Sequence, residues 1–322
     1  MTNEEEIFER FGPPFKKGIE NTNYRIETEK GKFILTVYEK RVDEKDLPFF
    51  MKLMYGLSKL QIQCPKPLEI SKGKYLFKIK NKNACIVTFL EGKDKENLTA
   101  KDCYEIGKNI AKLHIASNKL KLFRKNSLSL SSWPKLLNKI DDRSKKIQIN
   151  LHSLMKMNLL IIRKNWPKNL PGGIIHGDLF IDNIFFYQKK FYGFIDFYFS
   201  SFDFLSYELA ICINSLCFNK KKNKFIFDKQ KASNLLKGYQ KYKKLPGNEA
   251  ICTIDDTEAT MQEKITWIQE LIPQRKEWDK KYLTNECRAS GFCLPNKSGL
   301  GSCHQAAIPT LLSKIEDCKA EI

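Results

Sequence analysis

The stretch IIHGDLFIDNIFFYQKKFYGFIDFYF, residues 174–199, carries polar side chains at a spacing that predicts both a turn and a site. Its first part, HGDLFIDN, has the form His-x-Asp-x-x-x-x-Asn, and a further acid, Asp196, follows thirteen residues after Asn183. Two apolar runs, IFFY and FYGFID, lie between them and flank the polar residues QKK, a pattern that predicts a β-hairpin. The hairpin returns Asp196 to the end of the sheet where the loop lies, so the acid and the amide are expected to meet.

The residue types in this stretch are those of a kinase catalytic loop, in which an aspartate faces the accepting hydroxyl and an asparagine binds Mg²⁺. Phosphoryl transfer to an alcohol requires positioning and neutralisation of charge, so oxygen ligands for Mg²⁺ and one proton acceptor form the minimum set. On this hypothesis Asp178 accepts or orients the hydroxyl proton, while Asn183 and Asp196 hold Mg²⁺ between the phosphates of ATP. His176 completes the catalytic set, and we expect it to brace the loop through hydrogen bonds rather than to carry a proton. Gly-Asp alone is common in turns, so the prediction depends on the spacing of the other residues.

The loop and the FIDF that follows the hairpin resemble the aminoglycoside phosphotransferase and choline kinase group, whose members share the protein kinase plan with a different substrate lobe. Four separated segments, in order along the chain, are similar to the homoserine kinase branch of that group. They are GIENTNYRIET (18–28), KFILTVYEKR (32–41), DLPFFMKLM (46–54) and FIDFYFSSFDFLSYELAICINSLCF (194–218). The resemblance runs from about residue 18 to about residue 245.

This resemblance implies an α+β, two-lobed protein kinase-like fold, with a small N-terminal antiparallel sheet lobe containing one helix and a larger, mainly helical C-terminal lobe. Residues 1–92 would cover the nucleotide, residues 93–245 would form the catalytic lobe, and residues 246–322 would be an atypical tail. The implied reaction transfers the γ-phosphate of ATP, with Mg²⁺, to the hydroxyl group of L-homoserine, giving O-phospho-L-homoserine in threonine biosynthesis. Kinases of choline, ethanolamine or aminoglycosides are alternatives, and so is an inactive nucleotide-binding relative, against which the complete set of loop residues argues.

By the same resemblance, a hairpin of two predicted strands, residues 22–28 and 33–38, covers the phosphates of ATP. Backbone N–H groups from Asn21, Thr22 and Asn23, with the Thr22 hydroxyl, are the candidates for a phosphate cradle. The loop before them has a single glycine, so an ordinary turn is the alternative.

The position of the hinge also comes from the resemblance. Two strands are predicted over residues 75–79 and 84–90, and the resemblance places backbone groups of Thr88, Phe89 and Leu90 against adenine. From the residues alone, the same segment is equally a plain strand of the core.

The strand FILTVYE carries Thr36 where protein kinases have the lysine that contacts the α and β phosphates. The homoserine kinase branch resembles this chain in lacking it, so the absence does not exclude activity. Arg25, Lys32 and Lys17 are nearby candidates for the missing cation, and none is favoured.

A helix is predicted to begin at Asp43, because apolar residues follow at three- and four-residue spacing, and to end before the CPKP run at residues 64–67. In protein kinases an acid of this helix pairs with the strand lysine. Glu44 and Asp46 are the two candidates for that acid, and neither is assigned. Thr99 and Asp102 predict a capping box at the start of a second helix. Further helical segments are expected over residues 133–164 and 200–218.

The acceptor site is the least determined part of the sequence. A homoserine zwitterion requires a cation for its carboxylate and an acid for its ammonium group, and Asp203 and Glu208 are the candidate acids. A helix cap and a surface charge are the alternative roles for these two residues. His114, on the apolar face of a predicted helix, is expected to be a core residue rather than a ligand.

The net charge of +19 is compatible with a nucleic-acid or anionic-membrane binder. The lysines are spread over the whole chain and no nucleic-acid-binding motif accompanies them, so we expect solvated surfaces and no nucleic-acid or membrane partner. The acidic start MTNEEEIFER contains no apolar run, which predicts a cytoplasmic protein.

The ten cysteines divide into two groups. Those before residue 245 stand singly in apolar or mixed segments and are expected to be buried thiols of a reducing compartment. The other five lie in the tail, which is either a divergent helical extension or the product of a joined coding sequence. A zinc site in the tail, at Cys287, Cys293, Cys303 and His304, is disfavoured because no two cysteines have the usual gap of two to four residues.

Overall fold

The computed structural model describes residues 16–17, 21–38, 42–79, 81–139, 151–166, 168–221 and 224–244. The tail predicted from residue 246 onward, including its cysteines and the zinc alternative, lies outside these residues.

The N-terminal part is an antiparallel sheet with one helix packed on it. Its strands are β1 (Lys16–Lys17), β2 (Asn21–Thr28), β3 (Gly31–Tyr38), β4 (Leu76–Ile79) and β5 (Lys82–Thr88), in the spatial order β1-β2-β3-β5-β4. The helix α1 (Leu47–Lys59) buries Phe50, Leu53 and Leu57 in the main core. It begins four residues later than the predicted Asp43, because Pro48 is tolerated only in a first helical turn and Asp46 is the N-cap.

The C-terminal part is mainly helical and contains three two-stranded antiparallel sheets. In chain order its elements are α2 (Ala100–Lys119), α3 (Trp133–Lys139), α4 (Leu151–Asn165), β6 (Gly172–Ile175), β7 (Ile184–Tyr187), β8 (Lys190–Phe194), β9 (Ser201–Phe204), α5 (Leu205–Leu216), β10 (Phe218–Lys221), β11 (Lys224–Phe227) and α6 (Lys229–Gln240). The sheets pair β6 with β9, β7 with β8, and β10 with β11.

The long helix α2 is fixed at its start and along its length. Thr99 and Asp102 form the predicted capping box, in which each side chain accepts a hydrogen bond from the other residue's backbone N–H. Further along, Gly107 lies directly against the backbone of α6, and Gly238 of α6 lies directly against α2. The two helices therefore pack in backbone contact, which places α6 in the same core as the rest of the C-terminal part.

Among the described residues, no helix is long and apolar enough to cross a membrane. The five cysteines of this region, Cys64, Cys85, Cys103, Cys212 and Cys217, are buried free thiols, as the sequence predicted.

Candidate active site

The loop that begins at the end of β6 contains the HGD tripeptide. Its glycine, Gly177, has a φ of +80°, and a Cβ at this position would lie 2.9 Å from the carbonyl oxygen of Phe199. Only glycine combines this backbone conformation with so close a neighbour at low cost. The tight turn presents Asp178, which is partly exposed, at the end of the strand.

Asp178 and Asn183 are in direct contact. The Asn183 side-chain amide donates both to the backbone oxygen of Asp178, at 2.8 Å, and to its carboxylate Oδ2, at 2.9 Å. Because Nδ2 faces Asp178, the Oδ1 atom of the same amide is directed away from it. An amide oxygen and a nearby carboxylate are ligands of the kind that Mg²⁺ takes, so the donor set fits this metal.

The predicted hairpin is present and brings Asp196 to the loop. Strands β7 and β8 pair from Ile184 with Phe194 to Tyr187 with Lys190, and the backbone N–H of Ile195 donates to the Asn183 oxygen at 3.0 Å. Asp196 is the next residue, and it is exposed. Asp178, Asn183 and Asp196 therefore lie on neighbouring segments of the backbone.

His176 is fully buried and acts as a brace. Its Nε2 lies 2.9 Å from the carbonyl oxygen of Ile195, so this nitrogen is the N–H donor, whereas Nδ1 is buried without a hydrogen-bond partner. Burial lowers the pKa of His176, although the charge of Glu208 acts in the opposite direction. The ring is thus neutral, and it connects the HGD turn to the residue before Asp196.

Glu208 holds the same turn from the other side. Its carboxylate, which is fully buried, accepts the backbone N–H groups of both His176 and Gly177. Burial alone would raise the pKa of Glu208, but the neighbouring His114 and the backbone bonds outweigh it and hold the pKa below its usual range. A substrate ammonium group cannot reach this carboxylate, so the prediction that Glu208 binds one is wrong.

His114 links Glu208 to the last described helix. Its Nε2 lies 3.6 Å from Oε2 of Glu208, and its Nδ1 lies 2.9 Å from the hydroxyl of Tyr239 in α6. His114 is therefore a core residue with polar partners, as expected. The sequence indicated its burial through the helical spacing, but it contained no signal for the partner Tyr239, 125 residues away.

Asp203 lies on β9, opposite Gly173 of β6. Its carboxylate accepts hydrogen bonds from Asn126, at 2.7 Å, and from the backbone N–H of Phe204, at 2.7 Å. Burial raises the pKa of Asp203, and these two bonds act against the rise.

The predicted phosphate-cradle residues lie in a strand, not in a loop. Asn21, Thr22 and Asn23 open β2 and pair with β3, so their backbone lies in the sheet ladder. The Asn23 side chain accepts a 2.7 Å hydrogen bond from the hydroxyl of Thr36, which occupies the position of the missing lysine. The Oδ1 atom of Asn21 is buried and lacks a hydrogen-bond partner.

Two of the candidate phosphate cations lie at the other end of that hairpin. The Arg25 guanidinium is 5.3 Å and the Lys32 ammonium 6.0 Å from the centre of the Phe89 ring. Both cations therefore lie beside Phe89 of the hinge segment, with Lys32 near the turn of the hairpin, where Thr28 pairs with Gly31. The side chain of Lys17 lies outside what the structure describes.

The hinge segment has two of its three N–H groups occupied. Thr88 donates to the oxygen of Lys66 at 2.9 Å, and Phe89 donates to the oxygen of Lys32 at 3.1 Å. After Leu90 the chain is tied to the catalytic hairpin, because Lys93 and Phe186 exchange two backbone hydrogen bonds of 3.0 and 2.8 Å.

Comparisons with known proteins give matches over most of the chain. The sequence model of the family described as phosphotransferase enzyme family matches residues 12–243. The homoserine kinase of Mesorhizobium japonicum is 41% identical over 233 residues, which is 72% of each chain, and that of Rhizobium meliloti is 40% identical over 72% of this chain and 71% of its own.

Solved structures share the fold at low sequence identity. An amicoumacin kinase aligns with a TM-score of 0.58 at 15% identity, covering 98% of this chain and 94% of its own. A choline kinase from Cryptosporidium parvum also gives 0.58 at 15% identity, covering 96% and 88%. The kinase-like fold expected from the sequence is confirmed.

Proposed function

The chain belongs to the phosphotransferase enzyme family, and we propose that within this family it is a homoserine kinase. The observation that carries the proposal is the 41% identity to a homoserine kinase over 72% of both chains. The enzyme is an ATP-dependent phosphotransferase with an alcohol group as acceptor, and its product is O-phospho-L-homoserine, which places it in threonine biosynthesis.

Asp178 is the residue proposed to accept or orient the proton of the homoserine hydroxyl. The hydrogen bond from Asn183 to Oδ2 holds the carboxylate in one orientation at the partly exposed turn. A base positioned in this way contributes roughly 10² to 10⁴ in rate. The fixed turn at Gly177 and the two backbone bonds to Glu208 keep this geometry in place before the substrate arrives.

Asn183 and Asp196 are the residues proposed to hold Mg²⁺. The orientation of the Asn183 amide leaves its oxygen available, and the exposed carboxylate of Asp196 follows on the backbone that bonds to Asn183. When bound with ATP, Mg²⁺ neutralises charge on the phosphates. His176 contributes by fixing Ile195, the neighbour of Asp196.

For the nucleotide, residues Asn21, Thr22 and Asn23 stay the candidate phosphate contacts, through the Thr22 hydroxyl and any backbone N–H group of the three that the sheet does not use. At the hinge, the backbone N–H groups of Thr88 and Phe89 already have partners. Adenine would therefore contact Leu90 and the backbone carbonyl groups of residues 88–90. For the acceptor, Asp203 stays a candidate ammonium partner because its carboxylate has lone pairs beyond the two bonds it accepts.

We further propose that the N-terminal lobe ends at residue 92 and that the catalytic lobe spans residues 93–245. The backbone of Lys93 is bonded to Phe186 of β7 at this boundary. A cytoplasmic location is proposed because the buried free thiols fit a reducing compartment.

The test is an acceptor panel measured as ADP release by the full-length chain, with product identity read by phosphorus NMR. L-Homoserine should give the highest kcat/KM, above choline, ethanolamine and an aminoglycoside. Turnover of another alcohol with no turnover of homoserine would overturn the substrate assignment while leaving the phosphotransferase chemistry intact. ATP consumption that no acceptor increases would favour the inactive relative instead.

A further inference from the structure

The backbone at Asp196 is in a conformation that side chains rarely adopt. Its φ and ψ are both 65°, in the left-handed region, where a non-glycine residue is strained and persists only if its surroundings impose it. On the N-terminal side, the bond from His176 to Ile195 supplies part of this constraint. The constraint on the C-terminal side has to come from the residues that follow.

Tyr198, two residues after Asp196, is attached to the N-terminal sheet. Its hydroxyl accepts a 2.9 Å hydrogen bond from Tyr38, the last residue of β3. The Tyr38 hydroxyl also lies 3.1 Å from Sγ of Cys85 in β5. The Tyr198 ring stands edge-on to Tyr38 at 5.4 Å and to Phe50 of α1 at 5.6 Å.

Ser200, four residues after Asp196, is attached to α1 through Arg124. The Arg124 guanidinium donates from Nη1 to the Ser200 oxygen at 3.1 Å and from Nε to Oδ2 of Asp46 at 2.6 Å. The same group lies 5.0 Å over the Phe50 ring. Both side chains of the ion pair are largely covered, at 14% exposure for Arg124 and 31% for Asp46.

These contacts give Asp46, one of the two candidate acids at the start of α1, a partner in the C-terminal part. In protein kinases a lysine of β3 pairs with an acid of the helix, whereas here Thr36 replaces the lysine and its hydroxyl bonds to Asn23. Asp46 instead pairs with Arg124, a residue of the C-terminal part. The N-terminal lobe is thereby joined directly to the segment that carries Asp196.

We propose that Tyr198 and Arg124 are positioning residues for Asp196, holding its carboxylate where it can bind the metal of the nucleotide complex. Neither residue touches the substrate in this proposal, which rests on the metal role given to Asp196 in the proposed function. The two side chains hold positions 198 and 200 against β3 and α1, and this attachment maintains the left-handed backbone at position 196.

The test measures binding of a non-hydrolysable ATP analogue to the full-length chain by calorimetry, once with excess Mg²⁺ and once with EDTA. The dissociation constant in EDTA divided by that in Mg²⁺, called the ratio below, measures the contribution of the metal to binding. Tyr198→Phe keeps the ring packing and removes only the hydroxyl, so it should fold, and the ratio should fall about fivefold, as for the loss of one hydrogen bond. Tyr192→Phe in β8 is the matched control and should leave the ratio unchanged.

Arg124 is tested in the same way with two variants. Arg124→Ala removes both attachments and should lower the ratio more than Tyr198→Phe does. Arg124→Lys keeps a charge for Asp46 but lacks the fork that also reaches Ser200, so its ratio should lie between those of Arg124→Ala and the parent. Lys125→Ala, at the exposed neighbouring position, is the control.

A Tyr198→Phe ratio equal to that of the parent would overturn the proposal. It would also be overturned if binding weakened equally in Mg²⁺ and in EDTA, since that result indicates a general structural role. None of these measurements includes homoserine, so their outcome is separable from that of the acceptor panel.

Discussion

His176 shows how far a single residue can depart from its ordinary chemistry in this fold. Histidine is the usual proton carrier near neutral pH, yet here the ring is enclosed, donates to Ile195 and lies 4.5 Å from the Phe197 ring. Its pKa is lowered by burial from the ordinary value of 6.5. The residue therefore stabilises the active site only while it is neutral.

This gives a prediction for stability against pH. Below about pH 6.5 the unfolded chain takes up a proton at His176 that the folded protein does not, so the free energy of unfolding should fall as the pH is lowered, by up to about 1.4 kcal/mol per pH unit. In His176→Gln, whose amide can still donate to Ile195 and does not titrate, this component should be missing. The measurement is urea unfolding at several pH values between 7 and 5, and parallel curves for parent and variant would contradict the assignment.

Single residues also show what the sequence could and could not reveal. The spacing of Asp178, Asn183 and Asp196 is sufficient to predict that they adjoin, because the second strand of a β-hairpin ends beside the start of the first. Glu208 was placed at the substrate by its nearness in sequence to the metal segment, but burial decides its role, and burial depends on helices from three parts of the chain. Arg124 and Tyr198 were missed because nothing in their local sequence indicates a partner in the other lobe.

At the scale of elements, α2 and α6 approach each other closely at two glycines. A Cβ on Gly107 would lie 1.9 Å from the Leu235 oxygen, and a Cβ on Gly238 would lie 2.0 Å from the Tyr104 oxygen. Both neighbours are backbone atoms, so neither helix can relieve such an overlap by a rotamer change.

We therefore expect Gly107→Ala and Gly238→Ala each to lower the free energy of unfolding by about 1 to 3 kcal/mol or more, as for other overpacked cores. Gly56→Ala in α1 is the matched control, because its Cβ would meet only the side-chain end of Leu120, at 2.7 Å. That variant should change stability by less than about 1 kcal/mol, since the gain in helix propensity offsets the displacement of Leu120. Chemical denaturation checks all three, and a loss at Gly56 as large as at Gly107 would show that close packing is not the cause.

The elements were predicted well where local signals were strong and less well where tertiary packing decides. The hairpin strands and the capped helix α2 follow from alternation and from Thr99 and Asp102. Within the helical segment predicted over residues 133–164, the described residues form α3 and α4, and residues 140–150 lie outside the described part. The strand β9 was absorbed into the expected helix, because SFDF gains its strand conformation from pairing with β6 and not from its own pattern.

For the molecule as a whole, the proposed function requires two lobes to meet around one Mg·ATP complex, with distinct roles for Asp178 and Asp196. In this proposal Asp178 acts in the transfer step, and Asp196 acts in binding of the metal nucleotide. The similarity to homoserine kinases over 72% of the chain supports the reaction, but it does not separate these roles, which the proposal assigns from the position of each side chain.

The most direct test is a crossed comparison of Asp178→Asn and Asp196→Asn in the full-length chain, measuring kcat with homoserine and the dissociation constant of a Mg²⁺-bound ATP analogue for each. Asp178→Asn should lower kcat by roughly 10² to 10⁴ with analogue binding nearly unchanged, while Asp182→Asn in the same loop should leave both values near those of the parent. Asp196→Asn should weaken analogue binding in Mg²⁺. If Asp178→Asn turned over homoserine at the parent rate, or if Asp196→Asn bound the analogue as tightly as the parent, the assignment of base and metal ligand would be wrong.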